Sequence, residues 1–251
     1  MENKRLPLWK EIFGRIWALW MLVAWIVTIL IAFIFYLPSF FLKEPVAGKW
    51  HRIVSRGWQA VYLPLVGCPY KIKGLENFKK GQTYVIVCNH NSFLDILLAT
   101  PFTAKPNKTI AKSSFAPIPV FGWIYAKGSV LVNRKDARSR AESYIKMKKA
   151  IRQGFDMVIY PEGTRNRTGK PLQTFQNGAF KLAQDMKVPI LPTVILYTGK
   201  VLPANKLFYA FPHRIEIHYL PPVSSGNLSI TQLKEQVFQA MEQAIVELEK
   251  K

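Results

Sequence analysis

The sequence predicts an α/β domain, a mainly parallel sheet flanked by helices, carrying an N-terminal membrane-embedded helical motif. Two observations carry the expectation. Apolar, β-branched runs of strand length alternate with helix-like stretches from about residue 84 onward. Ahead of them, no charged side chain occurs between Ile16 and Leu42. A helix over Ile16–Leu37 would be roughly 33 Å long, enough to cross a bilayer.

Taken in order, the uncharged run outlasts the apolar core of a secretory signal and lacks a small-x-small cleavage pattern, so it is expected to stay with the mature protein. Lys4, Arg5, Lys10 and Arg15 precede it, and Lys43, Lys49, Arg52 and Arg56 follow it. Basic flanks on both sides remove the asymmetry that orients a spanning helix, and favour monotopic insertion. Pro38 is the expected bend, and Trp50–Val66 the expected second, interfacial helix. The chain divides on this reading into a membrane-associated segment, 1–66, and a catalytic domain, 67–251.

The expected strands are Tyr84–Cys88, Lys108–Ala111, Val130–Asn133, Met157–Tyr160, Ile190–Leu196 and Ile215–Tyr219. Between them lie helical stretches at Ser92–Ala99, at Ala137–Gln153 opened by Asp136 and closed by Gly154, and at Gly178–Met186. Thr231–Lys250 closes the chain, with Leu233, Val237, Met241, Ile245 and Leu248 at helical spacing, a packing helix. Pro101–Lys112 and Gly199–Phe211 are loop-rich and could border a membrane-facing entrance.

Composition narrows the partners. Lys and Arg number 35 against 15 Asp and Glu, a formal net charge of +20, so the partner is expected to be anionic: a membrane surface, a phosphorylated substrate or nucleic acid. The basic residues are spread and no DNA- or RNA-reading motif is present, which leaves a tethered nucleic-acid binder as the remote alternative. Cys68 and Cys88 supply neither a disulfide framework nor zinc-ligand spacing, in keeping with a reducing, cytoplasmic face. No GxSxG or HExxH motif occurs. Gly163–Lys170 has one residue too many for a phosphate loop, and Pro171 follows its lysine.

The chemistry-bearing segment is Asn89-His90-Asn91-Ser92-Phe93-Leu94-Asp95, in a strand-to-helix turn. A histidine and a carboxylate are the smallest set that activates a hydroxyl. Ser92-x-x-Asp95 is equally a capping-box pattern, and one carboxylate can both cap the helix and orient the ring. A second constellation, Tyr160-Pro161-Glu162-Gly163-Thr164-Arg165, follows the strand Met157–Tyr160, at the strand end where open α/β sheets bind ligands. There Gly163 would allow close backbone approach, Arg165 offers a planar donor fork for phosphate, and Glu162 could hold that arginine or accept a substrate hydroxyl. Lys112 and Arg134, each at a strand end, could join Arg165 in one anion site. His51, His213 and His218 are expected in structural or surface roles.

In order and content these pieces resemble the 1-acylglycerol-3-phosphate acyltransferase (lysophosphatidic acid acyltransferase) family, over most of Lys71 to Tyr197. Asn89-His90 through Asp95 is similar to its NHxxxxD block, Gly128–Arg134 to its second block, Tyr160–Arg165 to its PEGTR block and Val188–Pro192 to its fourth. Phe175-x-x-Gly178-Ala179 fits the stretch between the third and fourth. Asn133 departs from the acidic residue commoner before the arginine, and Tyr160 from the commoner phenylalanine.

The resemblance implies the glycerophosphate-acyltransferase-like fold and direct acyl transfer from acyl-CoA or acyl-carrier protein to a lysophospholipid, with no metal and no resident cofactor. It implies His90 as general base oriented by Asp95, with backbone amides near Gly163 or Ser92 as candidate oxyanion donors. Lys112, Arg134, Gly163, Thr164 and Arg165 would bind the substrate, and Glu162 would organise the site. Another lysolipid, or glycerol-3-phosphate, is the alternative acceptor.

Overall fold

The computed structural model describes residues 7–250. Two helices lead: α1 (Leu8–Phe41) and α2 (Val46–Leu65). The α/β unit then runs β1 (Tyr70–Lys73), β2 (Val85–Cys88), α3 (Leu94–Ala99), β3 (Asn107–Lys112), α4 (Phe121–Gly128), β4 (Ser129–Val132) and α5 (Ala137–Arg152). It continues through β5 (Asp156–Ile159), α6 (Gly178–Met186), β6 (Ile190–Leu196), α7 (Thr198–Val201), β7 (Ile215–Tyr219) and α8 (Ile230–Glu249).

The seven strands form one sheet in the order β1-β7-β6-β2-β5-β3-β4, with every pairing parallel except β6 with β7. The sheet is buried on both faces, which is why its central strands read as unbroken apolar runs. Val85 and Val87 of β2 pack with α5, α6 and α8, while Ile86 and Cys88 pack toward α1, α2 and α3. Leu233, Val237, Met241 and Ile245 of α8 are buried in the first of these layers, as their spacing predicts. Ser229 and Gln232 close a capping box at its start.

One difference from the sequence expectation concerns the helical lead. The chain does not bend at Pro38: α1 continues through it to Phe41, and the reversal lies at Leu42–Pro45. Proline costs a helix one N–H bond and a clash with the preceding turn. Here that turn is held from outside, by Tyr36 Oη on Ser55 Oγ at 2.7 Å and by Trp50 Nε1 donating to Phe35 O at 2.8 Å.

The same ladder runs the length of the hairpin: Trp58 Nε1 donates to Thr28 Oγ1 at 3.0 Å, Trp20 Nε1 to Leu65 O at 3.1 Å and Trp17 Nε1 to Val66 O at 3.2 Å. α1 also touches the catalytic unit at both ends. Ala210 N donates to Gly14 O at 3.0 Å, and the Phe33 and Trp123 rings lie 5.6 Å apart. Its opposite face leaves Ile16, Val23, Val27, Ile34 and Phe41 exposed. Among the described residues, α1 is the one helix long and apolar enough to cross a membrane.

A buried carboxylate pins the amino end of the sheet. Asp156 Oδ1 accepts the Tyr84 N–H at 2.8 Å and lies 3.3 Å from Lys105 Nζ. Burial pushes this carboxyl up to about 7, against the opposing pull of Lys105 and the Tyr84 bond. The folded chain therefore holds this proton more tightly than the unfolded chain does, and the contribution to stability falls as pH rises from about 4 to about 7. Asp156→Asn removes the titration. Thermal melts between pH 4.5 and 7.5 are expected to show a smaller loss of Tm in the variant than in the parent chain; equal losses would contradict the assignment.

Candidate active site

The carboxyl ends of the parallel strands converge on the turn after β2. Asn89 ends that strand by bridging to β6, its Oδ1 accepting Ile195 N–H at 2.7 Å and its Nδ2 donating to Ile195 O at 2.8 Å. His90 follows, and the chain enters α3 four residues later.

Asp95, in the first turn of α3, is fully buried. Its Oδ2 accepts three bonds: from His90 Nδ1 at 2.8 Å, Asn91 N at 2.7 Å and Ser92 N at 2.8 Å. One oxygen thus orients the ring and holds two N–H groups ahead of the helix, whose N-cap, Phe93, has no side-chain cap bond. Since a carboxylate only accepts, Nδ1 carries a proton toward Asp95, so that in the neutral imidazole Nε2 is the nitrogen with the lone pair. Nε2 has no hydrogen-bond partner among the described residues, and the His90 side chain is 14% exposed. Ser92 Oγ accepts Leu94 N–H at 3.2 Å and donates to Leu202 O at 2.8 Å.

The PEGTR segment clamps this turn. Glu162 Oε1 accepts the His90 N–H at 2.8 Å, and its Oε2 accepts from Gln173 N at 3.1 Å and Gln173 Nε2 at 3.3 Å. Burial raises the Glu162 carboxyl above the usual range while these bonds oppose the rise. Asn166 N donates to His90 O at 2.6 Å, so the histidine's backbone is held on both sides. Tyr160 completes the enclosure, its ring 4.5 Å from the imidazole and its hydroxyl donating to Asp95 O at 2.8 Å.

These contacts correct the expectation that Glu162 holds Arg165 or meets a substrate hydroxyl: its oxygens are committed to His90 and Gln173. Arg165 instead lies over the Phe93 ring, with Cζ 3.7 Å from the centroid. Burial and Arg167 lower its pKa, and Asp95 raises it. Arg134 Nη1 donates to Gly163 O, joining the second and third blocks.

Gly163 has φ 74°, and a Cβ there would meet nothing nearer than Gln176 Cγ at 3.9 Å. The left-handed backbone, not a close approach, is what calls for glycine. Of the backbone amides near Gly163 and Ser92, two are committed, Gly163 N to Tyr160 O at 3.1 Å and Ser92 N to Asp95. Thr164 is exposed, its carbonyl accepting from Gln173 Nε2. Lys112 ends β3, one strand beyond β5, with an exposed side chain. Thus His90, Asp95 and Glu162 are tightly joined, Arg134 and Gly163 form a pair, and Lys112 and Thr164 stand apart.

Sequence reasoning missed the positions that hold the turn: Asn89, Asn166 and Gln173, and the hydroxyl of Tyr160. The one available signal was Tyr160 itself, since a tyrosine at a buried strand end needs a partner for its O–H. Beside the turn lies an apolar cavity of about 300 Å³, lined by Met21, Trp25, Phe93, Leu97, Phe208 and Tyr209 among others. Phe208 and Tyr209, from the 199–211 stretch, form part of its wall.

Comparison with known proteins follows the same outline. Residues 69–196 match the family model described as Acyltransferase. The chloroplastic 1-acyl-sn-glycerol-3-phosphate acyltransferase of Arabidopsis thaliana is 33% identical over 67% of this chain and 47% of its own length. The 1-acyl-sn-glycerol-3-phosphate acyltransferase of Borreliella burgdorferi is 32% identical over 62% of each chain. The chain thus spans about half the length of the plant relative. The crystal structure of the 1-acyl-sn-glycerophosphate acyltransferase of Thermotoga maritima superposes with a TM-score of 0.82 at 23% identity, covering 96% of this chain and 98% of that one, which shows the shared fold. With half of its length in the family model and the histidine turn, PEGTR clamp and mainly parallel sheet described above, the chain belongs to the acyltransferase family.

Proposed function

We propose that the protein transfers a fatty acyl group from an acyl thioester, acyl-CoA or acyl-carrier protein, to the free hydroxyl of 1-acylglycerol-3-phosphate, giving phosphatidic acid. The observation that carries the reading is the His90 ring, held by Asp95 at 2.8 Å with Nε2 unpartnered, in a turn that also forms the wall of an apolar cavity and carries a guanidinium. The names of the relatives support the choice of acceptor.

In this mechanism Nε2 takes the acceptor's hydroxyl proton as its oxygen attacks the thioester carbonyl carbon. Asp95 stabilises the resulting imidazolium. Collapse of the tetrahedral intermediate forms the ester, breaks the C–S bond and returns the proton from Nε2 to the departing sulfur. Arg165, with Arg134 as a further cation, would hold the phosphate, and the apolar cavity would take an acyl chain. Glu162 acts on the backbone of His90, as a positioning residue. The chemistry needs no resident metal or cofactor.

The membrane reading rests on the hairpin. α1 packs along α2 and against the catalytic unit at both ends while its outer face is apolar, an arrangement suited to lying within one leaflet rather than crossing it. Basic flanks would meet anionic lipid. The free cysteines, Cys68 and Cys88, both buried, suit the cytoplasmic side.

In purified protein, His90→Ala is expected to lower kcat about 10³-fold or more, since the neighbouring carboxylates of Asp95 and Glu162 are committed to N–H donors. Arg165→Ala is expected to raise the KM for lysophosphatidic acid about tenfold with a smaller change in kcat. Robust use of another acceptor without turnover of lysophosphatidic acid would sink the substrate assignment.

Glu162→Gln places an amide donor among N–H donors. It should cost about 1–3 kcal/mol of stability and lower kcat with KM nearly unchanged, checked by thermal melts and steady-state kinetics. For topology, cysteines introduced at Lys10 and Lys43 in reconstituted vesicles should react with an impermeant thiol reagent from the same side. Labelling from opposite sides would establish a span.

A further inference from the structure

Phe93 belongs to two environments. One face of its ring carries the Arg165 guanidinium, 3.7 Å from the centroid, and the ring also lines the apolar cavity. Its edge contact with Phe115, at 6.2 Å and 88°, fixes the ring plane from the cavity side. The backbone on its amino side is fixed as well, because Asp95 holds the N–H groups of Asn91 and Ser92 with the same oxygen that holds the imidazole.

Among the described residues, the Arg165 guanidinium makes no ion pair and no hydrogen bond. The Phe93 ring is thus the contact that restrains a planar cation whose donors are otherwise free. An aromatic face can hold a guanidinium by its flat side while leaving the N–H edge open to a phosphate; a carboxylate partner would occupy that edge.

Resting on the phosphorylated-acceptor reading above, we infer that Phe93 is a positioning residue for the acceptor. It sets the Arg165 fork at the seam between headgroup and acyl chain, three residues from the base, so that a phosphate bound there presents its glycerol hydroxyl to His90. The residue between Ser92 and Leu94 is then selected for its π face as well as its apolarity.

The test uses the full-length protein and steady-state kinetics with lysophosphatidic acid, comparing Phe93→Leu, Phe93→Tyr, Arg165→Ala and the Phe93→Leu/Arg165→Ala double variant. Phe93→Leu keeps the cavity wall apolar and removes the π face. It is expected to raise the acceptor KM about fivefold with kcat within about twofold. Phe93→Tyr should stay near the parent values. In the Arg165→Ala background the leucine substitution should add little further to KM, because the interaction is already absent.

A purely structural role predicts otherwise: equal KM increases in both backgrounds, or a fall in kcat alone, and either result overturns the inference. If the leucine variant melts early, Phe93→Met gives the same comparison. A parent enzyme that acylates uncharged 1-acylglycerol but not lysophosphatidic acid would overturn the acceptor reading and this inference together. Turnover of lysophosphatidic acid with additive KM defects would overturn the role of Phe93 alone.

Discussion

The Oδ2 atom of Asp95 gathers the His90 ring proton and the N–H groups of Asn91 and Ser92 within 2.8 Å. A fully buried carboxylate is tolerable only where donors replace the water it has lost. Three donors do so for Oδ2, drawing the chain into a tight loop around it, while Oδ1 is buried without a hydrogen-bond partner among the described residues. Ring orientation, helix entry and the placing of Phe93 between base and cavity are therefore consequences of one desolvated acceptor. Tyr160 adds a fourth tie to the same residue, through its backbone carbonyl.

The sheet brings distant segments to this point. From β2 the chain moves outward to β3 and β4, returns to lay β5 beside β2, and only then builds β6 and β7 on the other side. The connection from β2 thus runs one way, to β3, and that from its neighbour β5 the other way, to β6, the kind of reversal that opens a crevice at the carboxyl ends of an α/β sheet. The blocks ending in His90, Lys112, Arg134 and Arg165 leave four neighbouring strands, β2, β3, β4 and β5, although the chain separates them widely. The α1–α2 hairpin packs on the same sheet face as Ile86 and Cys88. The apolar cavity consequently lies between the hairpin and the start of α3, where Met21 and Trp25 face Phe93 and Leu97.

The buried strands were legible because burial on both faces leaves an unmistakable apolar run, as in Val85–Cys88 and Ile190–Leu196. Strand β1 was not: Tyr70–Lys73 pairs only with β7, and its half-buried sites alternate with lysines, so it carries no such run. Helix α4 is short and follows a stretch with Pro117 and Pro119, so it offers too few turns for a helical period to show. In the site, His90 and Asp95 could be read because their partnership is local in sequence. The roles of Asn89, Asn166 and Gln173 could not, because each is defined by a backbone group that only the tertiary fold brings near. Glu162 illustrates the same limit. Its neighbour in sequence, Arg165, suggested an ion pair, but a peptide N–H 72 residues away in the chain took the carboxylate.

The clamp on His90 has a geometric consequence. Glu162 holds the histidine's N–H and Asn166 its carbonyl, so residues 163–165 form a short loop whose two ends are fastened to the residue bearing the imidazole. The separation between the Arg165 and His90 backbones is set by these bonds, and the left-handed turn at Gly163 lets so short a loop close. Side-chain changes at Thr164 or Arg165 can then alter what a ligand meets without moving the base. A change at Glu162 releases the end of the loop that is fastened to the His90 N–H, and so acts on the base. On the proposed reaction, this fixed separation would act as the ruler between a headgroup phosphate and the hydroxyl to be deprotonated, and its stiffness comes from hydrogen bonds that no ligand has to form.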